Sequence, residues 1–269
     1  MSELEVRDVW LTYPGGVEAL KGARLKVRSG EIVTVLGGSG SGKSTLLLVA
    51  AGLLKPYKGE VLLDGKPLDE QLPSARRKLG VVFQEPDDQL FNPTVFQEIS
   101  YALRQLGLND SRIQEDVRKV AVEVGVDHLL HRSTFYISGG EKRRVALASV
   151  LVYHPEILII DEPTAYLDPR WRVSLENLLK KLKGEGRGIV TATHDVDFVA
   201  RISDRVYLMK EGRTLAEGDP ETVLTNVELL QSADVEPPSS VKVFKLLGGE
   251  GKPPLKLEDL PARLRGPPV

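Results

Sequence analysis

The sequence predicts an α/β fold built on a largely parallel sheet covered on both faces. Three observations carry this expectation. Gly37-Gly38-Ser39-Gly40-Ser41-Gly42-Lys43-Ser44-Thr45 fits the pattern G-x-x-x-x-G-K-[ST], which needs a strand before it and a helix after it. Both are present: Ile32 to Leu36 is a short, β-branched apolar run, and Ser44 to Leu54 is apolar and helix-compatible. Farther on, Ile157 to Ile160 is four apolar residues in a row, as in a strand with no solvent face. Strands alternate with helices around these features, the order that a covered parallel sheet requires.

The elements follow in order. Leu4 to Thr12 and Val17 to Val27 have strand character, with a Gly15-Gly16 turn between them and Ser29-Gly30 after the second. Glu60 to Leu63 is a strand closed by Asp64-Gly65, a hairpin signal, and Val81 to Gln84 is another short strand. From about residue 85 to 155 the texture turns helical, which reads as an inserted subdomain. Thr94 to Leu106 is periodic. Ser111 with Gln114 fits a capping box, and Ile113, Val117, Val120, Ala121 and Val124 mark one apolar face that Gly125 ends. After Ile157 to Ile160 come a helix over Trp171 to Leu182, a strand over Gly188 to Thr193, a helix near Asp197 to Ile202, and a strand over Arg205 to Met209 with a Glu211-Gly212 turn. Residues 1–235 therefore form the main domain. Seven of the 17 prolines fall between Pro237 and Val269, so 236–269 is an accessory segment or a tail, with Val241 to Leu247 a short strand.

Composition narrows the function. The chain has 269 residues, 41% hydrophobic and 28% charged, with a net charge of -2. That leaves no overall basic field for nucleic acid. The longest apolar runs, such as Val145 to Val152, are too short to span a bilayer, and no basic-then-apolar leader opens the sequence. With no cysteine, disulfides and thiolate metal sites are excluded. These features favour the cytoplasm.

The motifs carry phosphate chemistry. The glycines of Gly37 to Gly42 let the backbone curl so that successive N–H groups face an anion, and the helix N-terminus adds its positive dipole. Lys43 supplies a charge for the β- and γ-phosphates, and the Ser44 hydroxyl is a ligand for Mg²⁺. Asp161 and Glu162 close the buried strand at its C-terminal edge, where open α/β sheets bind ligands. Asp161 suits Mg²⁺, directly or through water; Glu162 suits a water aimed at the γ-phosphate. Ser138-Gly139-Gly140-Glu141 opens a helix whose first N–H groups make a second anion site. One ATP on Lys43 leaves that second site without a ligand in the same chain.

Together these residues resemble the nucleotide-binding subunit of an ATP-binding cassette (ABC) transporter, from about Leu4 to Leu224 and in the family's motif order. Gly37 to Thr45 resembles Walker A, Gln84 the Q-loop glutamine, Ser138 to Glu141 the signature, Ile157 to Glu162 Walker B, Ala165 to Asp168 the D-loop, and His194 the switch histidine. Tyr13 stands where the family has an aromatic that stacks on adenine. The resemblance implies a P-loop NTPase core with a mixed sheet, an antiparallel β subdomain and an inserted helical subdomain. It implies ATP and Mg²⁺ as cofactors. Tyr13, Gly38, Ser39, Gly40, Ser41, Gly42, Lys43, Ser44, Thr45, Gln84, Ser138, Gly139, Gly140 and Glu141 would meet nucleotide. Ser44, Gln84 and Asp161 would hold the metal, and Glu162 and His194 would be catalytic.

The resemblance also implies partners. A single motif set needs a second ABC ATPase subunit, identical or related, paired head-to-tail so that one signature caps the other's ATP. Val81-Val82-Phe83-Gln84-Glu85-Pro86-Asp87-Asp88-Gln89-Leu90-Phe91 resembles energy-coupling factor importers, which take up vitamins or cobalt and nickel, with partner docking near Gln84 to Phe91. There it helps receive helices of an integral membrane protein, and Leu90 and Phe91 would supply an apolar floor. The implied location is the cytoplasmic face of the membrane, with no nucleic-acid partner. The alternative is a soluble ABC ATPase of nucleic-acid, translation or iron–sulfur assembly systems. The nucleic-acid and translation relatives usually carry tandem cassettes, coiled-coil insertions or basic arms, none of which is seen here; gene neighbourhood or pulldown from membranes would separate transport from the iron–sulfur assembly reading. Two residues depart from the family pattern: Glu141 replaces the usual glutamine, with Lys142, Arg143 and Arg144 at hand to offset it, and Tyr166 replaces a small residue.

Overall fold

Alternation of apolar residues sorts the strands into two sheets. The structure is a computed structural model and describes residues 2–264. In chain order the elements are β1 (Glu3–Thr12), β2 (Glu18–Arg28), β3 (Ile32–Leu36), α1 (Lys43–Ala50), β4 (Lys58–Leu63), β5 (Lys66–Pro67), α2 (Leu68–Gln71) and β6 (Leu79–Val82). The helical stretch holds α3 (Val95–Gln105), α4 (Asp110–Glu123) and α5 (Gly139–Leu151). Then come β7 (Ile157–Asp161), α6 (Pro169–Gly184), β8 (Gly188–Thr193), α7 (Val196–Ile202), β9 (Arg205–Lys210) and β10 (Arg213–Gly218). The last helices are α8 (Pro220–Thr225), α9 (Val227–Ser232), α10 (Ser239–Leu246) and α11 (Leu260–Leu264).

One sheet has the order β2-β1-β4-β5 and is antiparallel; the other has the order β10-β9-β3-β8-β7-β6. In the second, β9, β3, β8, β7 and β6 run parallel and β10 turns back antiparallel on β9, so the sheet is mixed. Its central strands are buried throughout: β7 is apolar up to Asp161, and in β3 and β8 the buried Thr34 and Thr191 hydroxyls satisfy each other at 2.7 Å. Ile157 and Ile159 point into a core shared with α1 and the antiparallel sheet, whereas Leu158 and Ile160 point into the core of the helical stretch. A third core, around Leu36, Val206, Leu208, Leu224 and Val235, seats α8 and α9 beside β9.

Three local expectations are corrected. The cap of α4 is Asn109, whose side chain accepts from the Arg112 amide at 2.9 Å. Asn caps as well as Ser, and the apparent Ser111 box lies two residues inside the helix. The parallel strand expected over Val81 to Gln84 is β6, Leu79–Val82; the Phe83 and Gln84 carbonyls turn out of the sheet to accept from Arg143. Val241 to Leu247 is helical rather than extended, because Val241 and Phe244, one helical turn apart, bury one face of α10. Of the accessory segment 236–269, residues 265–269 lie outside the described residues.

Candidate functional site

The strand-to-helix turn of Gly37 to Thr45 follows from steric necessity. Gly40 and Gly42 have φ of +75° and +99°, the left-handed region that favours glycine. A side chain on Gly42 would also strike the Ala19 carbonyl at 2.7 Å, and one on Gly37 the Met209 carbonyl at 2.5 Å. Lys43 opens α1, and its ammonium donates to the Gly37 and Gly38 carbonyls at 2.8 and 2.9 Å. The ammonium is thus held under the loop, where burial lowers its pKa and the charges of Glu162 and Asp161 act against that shift. Ser41 Oγ is buried with no partner among the described residues. Tyr13 lines a second cleft with Gly40 to Thr45, its hydroxyl 3.2 Å from Thr45 Oγ1.

Strand register brings the carboxylates to this loop. Leu36 of β3 pairs with Thr193 of β8, and Asp161 of β7 pairs with Ala192, so three strands end at one level. Asp161 is buried, and its Oδ1 has no hydrogen-bond partner among the described residues. Burial raises its pKa, while the adjacent Ser44 hydroxyl draws it down and the Glu162 charge adds to the rise. Glu162 adopts φ +44°, which swings its side chain away from the strand direction. Thr193 Oγ1 donates to Glu162 Oε2 at 2.9 Å, and His194 Nδ1 lies 2.9 Å from Oε1. Gly38, Lys43, Ser44, Gln84, Glu162 and His194 share one cleft of ≈ 990 Å³, roomy enough for a nucleotide's phosphates. Ser138 to Glu141 line neither this cleft nor the one beside Tyr13.

The comparisons decide the family. Residues 20–165 match the model of the ABC transporter family. The chain belongs to it. Among curated relatives, the energy-coupling factor transporter ATP-binding protein EcfA of Methanocaldococcus jannaschii is 39% identical over 256 residues, 94% of this chain and 92% of the relative. Among solved structures, CbiO1 of Clostridium perfringens, part of the ABC transporter complex CbiONQ, superposes with TM-score 0.75 at 37% identity, covering 91% of this chain and 98% of that one. A dimeric ATP-binding cassette in a post-hydrolysis state with ADP and phosphate gives TM-score 0.76 at 29% identity, covering 81% and 98%. This chain is accordingly an ABC ATPase of the P-loop NTPase fold.

The remaining ABC motifs take defined positions. Ser138 caps α5 in a capping box: the Glu141 amide donates to Ser138 Oγ at 3.3 Å, and the Ser138 amide donates to Glu141 Oε2 at 2.7 Å. The Ser138 backbone and hydroxyl hold the Glu141 carboxyl below the usual carboxylate range. The basic residues after it are engaged elsewhere. Lys142 pairs with Asp87 at 2.6 Å, and Arg144 donates to the Gly125 carbonyl at 2.9 Å and stands over Trp171. Arg144 thus offsets the Glu141 charge only at a distance. Tyr166 of the D-loop hydrogen-bonds the Glu85 carboxylate, which holds its phenol above the ordinary range.

Three features escape the motif reading. Arg143 is buried, its guanidinium donating to the carbonyls of Phe83, Gln84, Asp161 and Glu162, and burial pushes its pKa down to about 10. The sequence held a signal: Arg143 lies on the helical stripe of Leu147 and Val150, which are buried. Thr193 orients Glu162 and looks like any strand residue. Asp234, Glu236, Ser239 and Lys242 wall the same cleft as Lys43, and Asp234 Cβ is 3.5 Å from where a side chain would begin on Gly38.

Proposed function

We propose that this chain is the ATP-hydrolysing subunit of an energy-coupling factor importer for a vitamin or a transition-metal ion, acting at the cytoplasmic face of the membrane. The observation that carries the hydrolytic reading is the meeting of Lys43, Asp161, Glu162 and His194 at the ends of β3, β7 and β8. The importer reading is supported by the EcfA-type relatives and by the Gln84 to Phe91 segment. In this reading residues 1–235 form the ATP-binding domain, its helical subdomain runs over about 85–155, and 236–269 is accessory.

The Walker A amides and Lys43 bind the triphosphate, and Tyr13 supports adenine. The donor set suits magnesium: the Ser44 hydroxyl, the Gln84 amide oxygen and Asp161, whose Oδ1 is buried and unpartnered, are all hard oxygens. Bound magnesium would neutralise charge on the β- and γ-phosphates. Among the described residues no group of three His, Cys, Asp or Glu side chains could hold a metal alone, consistent with a site completed by nucleotide. Glu162, fixed by Thr193 and His194, aligns a water and takes its proton. The water oxygen bonds to the γ-phosphorus as the bond to ADP breaks, releasing ADP and phosphate. His194, exposed at the mouth, contacts the γ-phosphate. Because Ser138 to Glu141 lie outside the cleft, they serve the ATP of a second subunit, identical or paralogous. No helix among the described residues is long and apolar enough to cross a membrane, so transport requires an integral membrane partner, which docks near Gln84 to Phe91.

The test is Glu162→Gln. The variant binds ATP with unchanged affinity, loses hydrolysis by at least about a hundredfold, the scale of a lost general base, and accumulates as a closed dimer in size-exclusion chromatography with ATP. Turnover at the normal rate would remove Glu162 from the role of base.

A further inference from the structure

We infer that Tyr166 is a positioning residue that ties the D-loop to the Q-loop across the signature glycines and so fixes Glu162 for hydrolysis; this rests on the ATPase reading proposed above. Tyr166 has φ +65°, a left-handed conformation that residues with side chains adopt at a cost. It is also 56% exposed, so burial does not repay that cost. Its contacts do. The phenol oxygen lies 2.8 and 2.9 Å from the two Glu85 carboxylate oxygens and donates its single proton to them. The ring and Cβ of Tyr166 lie 3.9 Å from where a side chain would start on Gly139, and its carbonyl is 3.0 Å from that point on Gly140. The lack of a side chain at Gly140 lets the D-loop pass this close, while at Gly139 the Tyr166 ring makes ordinary van der Waals contact.

The tie belongs to a closed ring. Glu85 adjoins Gln84, whose carbonyl accepts from Arg143 at 3.2 Å, and the same guanidinium donates to the Glu162 carbonyl at 2.9 Å. The Ala165 amide donates to that Glu162 carbonyl at 3.1 Å, and Ala165 adjoins Tyr166. Without the phenol–carboxylate bond the ring opens at its one solvent-exposed link. The D-loop then relaxes from its strained backbone and the Glu162 main chain loses a support. Lys43 and the loop of Gly37 to Thr45 are not members of this ring, so the groups that would hold the triphosphate keep their own contacts.

The experiment compares full-length wild type, Tyr166→Phe, Glu85→Ala and the double variant in steady-state ATP hydrolysis. The net worth of an ordinary solvent-exposed hydrogen bond sets the scale, so each single variant lowers kcat about three- to tenfold. KM for ATP stays within about twofold and the melting temperature does not move, as for a surface change outside the core. The double variant is no slower than the slower single one, because both remove the same bond. Normal kcat in Tyr166→Phe, or losses that multiply in the double variant, would overturn the proposal, as would KM rising in place of kcat falling. Hydrogen exchange of the 164–168 amides without ATP separates this failure from failure of the ATPase reading. Faster exchange in Tyr166→Phe reports the tie itself. Unchanged exchange refutes it, and a tie present in a wild type that hydrolyses no ATP refutes the catalytic role along with the ATPase reading.

Discussion

Asp161 and Glu162 are neighbours in sequence with unlike surroundings. Both Glu162 oxygens are engaged, by Thr193 and His194, whereas Asp161 Oδ1 is buried with nothing to accept from among the described residues. A buried polar atom left in that condition costs roughly 1–3 kcal/mol, and here it carries charge. Asp161→Asn removes the charge and keeps the shape. In buffer without nucleotide or divalent cation, calorimetry should show the variant melting higher, by about 2–4 °C for each kcal/mol recovered in a protein of this size. ATP hydrolysis should fall at the same time, the usual exchange of function for stability at a site built for a ligand. A lower melting temperature would mean that Lys43 balances the Asp161 charge without help. The placement of the pair at a buried strand end was legible in the sequence, because four apolar residues run into the two acids, and the nearby phosphate-loop pattern gave that end its meaning. Their difference was not, since it depends on Thr193, Ser44 and Arg143, which reach the strand end from other elements.

Helix α5 shows how one element serves two loops. Its N-terminus presents the signature residues, and one turn in, Arg143 holds the carbonyls after β6 and at the end of β7. Any motion of the signature helix is therefore felt at both Gln84 and Glu162. Arg143→Ala would strand four carbonyls, and urea unfolding should report a loss of about 2–4 kcal/mol, the scale of a few unpaired buried acceptors. Arg143→Lys should recover less than half of it, because an ammonium cannot fork across two loops. A loss under about 0.5 kcal/mol, typical of a surface site, would show that the guanidinium is not a clasp. At this scale the strands were the most legible elements, since a parallel sheet covered on both faces demands unbroken apolar runs. Helix ends were less so: Asn109 and Ser111 are both good caps, and only tertiary packing chooses between them. The α10 region read as extended because Val241, Val243 and Phe244 favour strands, until burial of one helical face overrode the propensity.

At the scale of the whole molecule, the helical stretch carries exposed aromatics among the described residues, Phe91 and Tyr101 being two of them. Leu90 and Phe91, adjacent in sequence, were expected to floor the same groove, and the fold separates them. Leu90 is 8% exposed and packed in the helical core, so it is not a docking residue; Phe91 is 60% exposed. Phe91 stands edge-on to Tyr101, ring centres 4.9 Å apart at 87°, and Tyr101 is itself 42% exposed. An exposed aromatic pair on the segment after Gln84 suits a helix of an integral membrane partner, which would bury both rings. The two neighbours therefore separate docking from folding. Phe91→Ser and Tyr101→Ser should melt within about 2 °C of wild type, as surface changes do, yet recover much less integral membrane protein when the complex is purified from native membranes in mild detergent. Leu90→Ser should instead lose about 2–4 kcal/mol in urea unfolding, from the cavity and the buried hydroxyl. Undiminished recovery of the membrane protein with Phe91→Ser and Tyr101→Ser combined would move the docking surface off this face. A Leu90→Ser protein as stable as wild type would place Leu90 back in the groove.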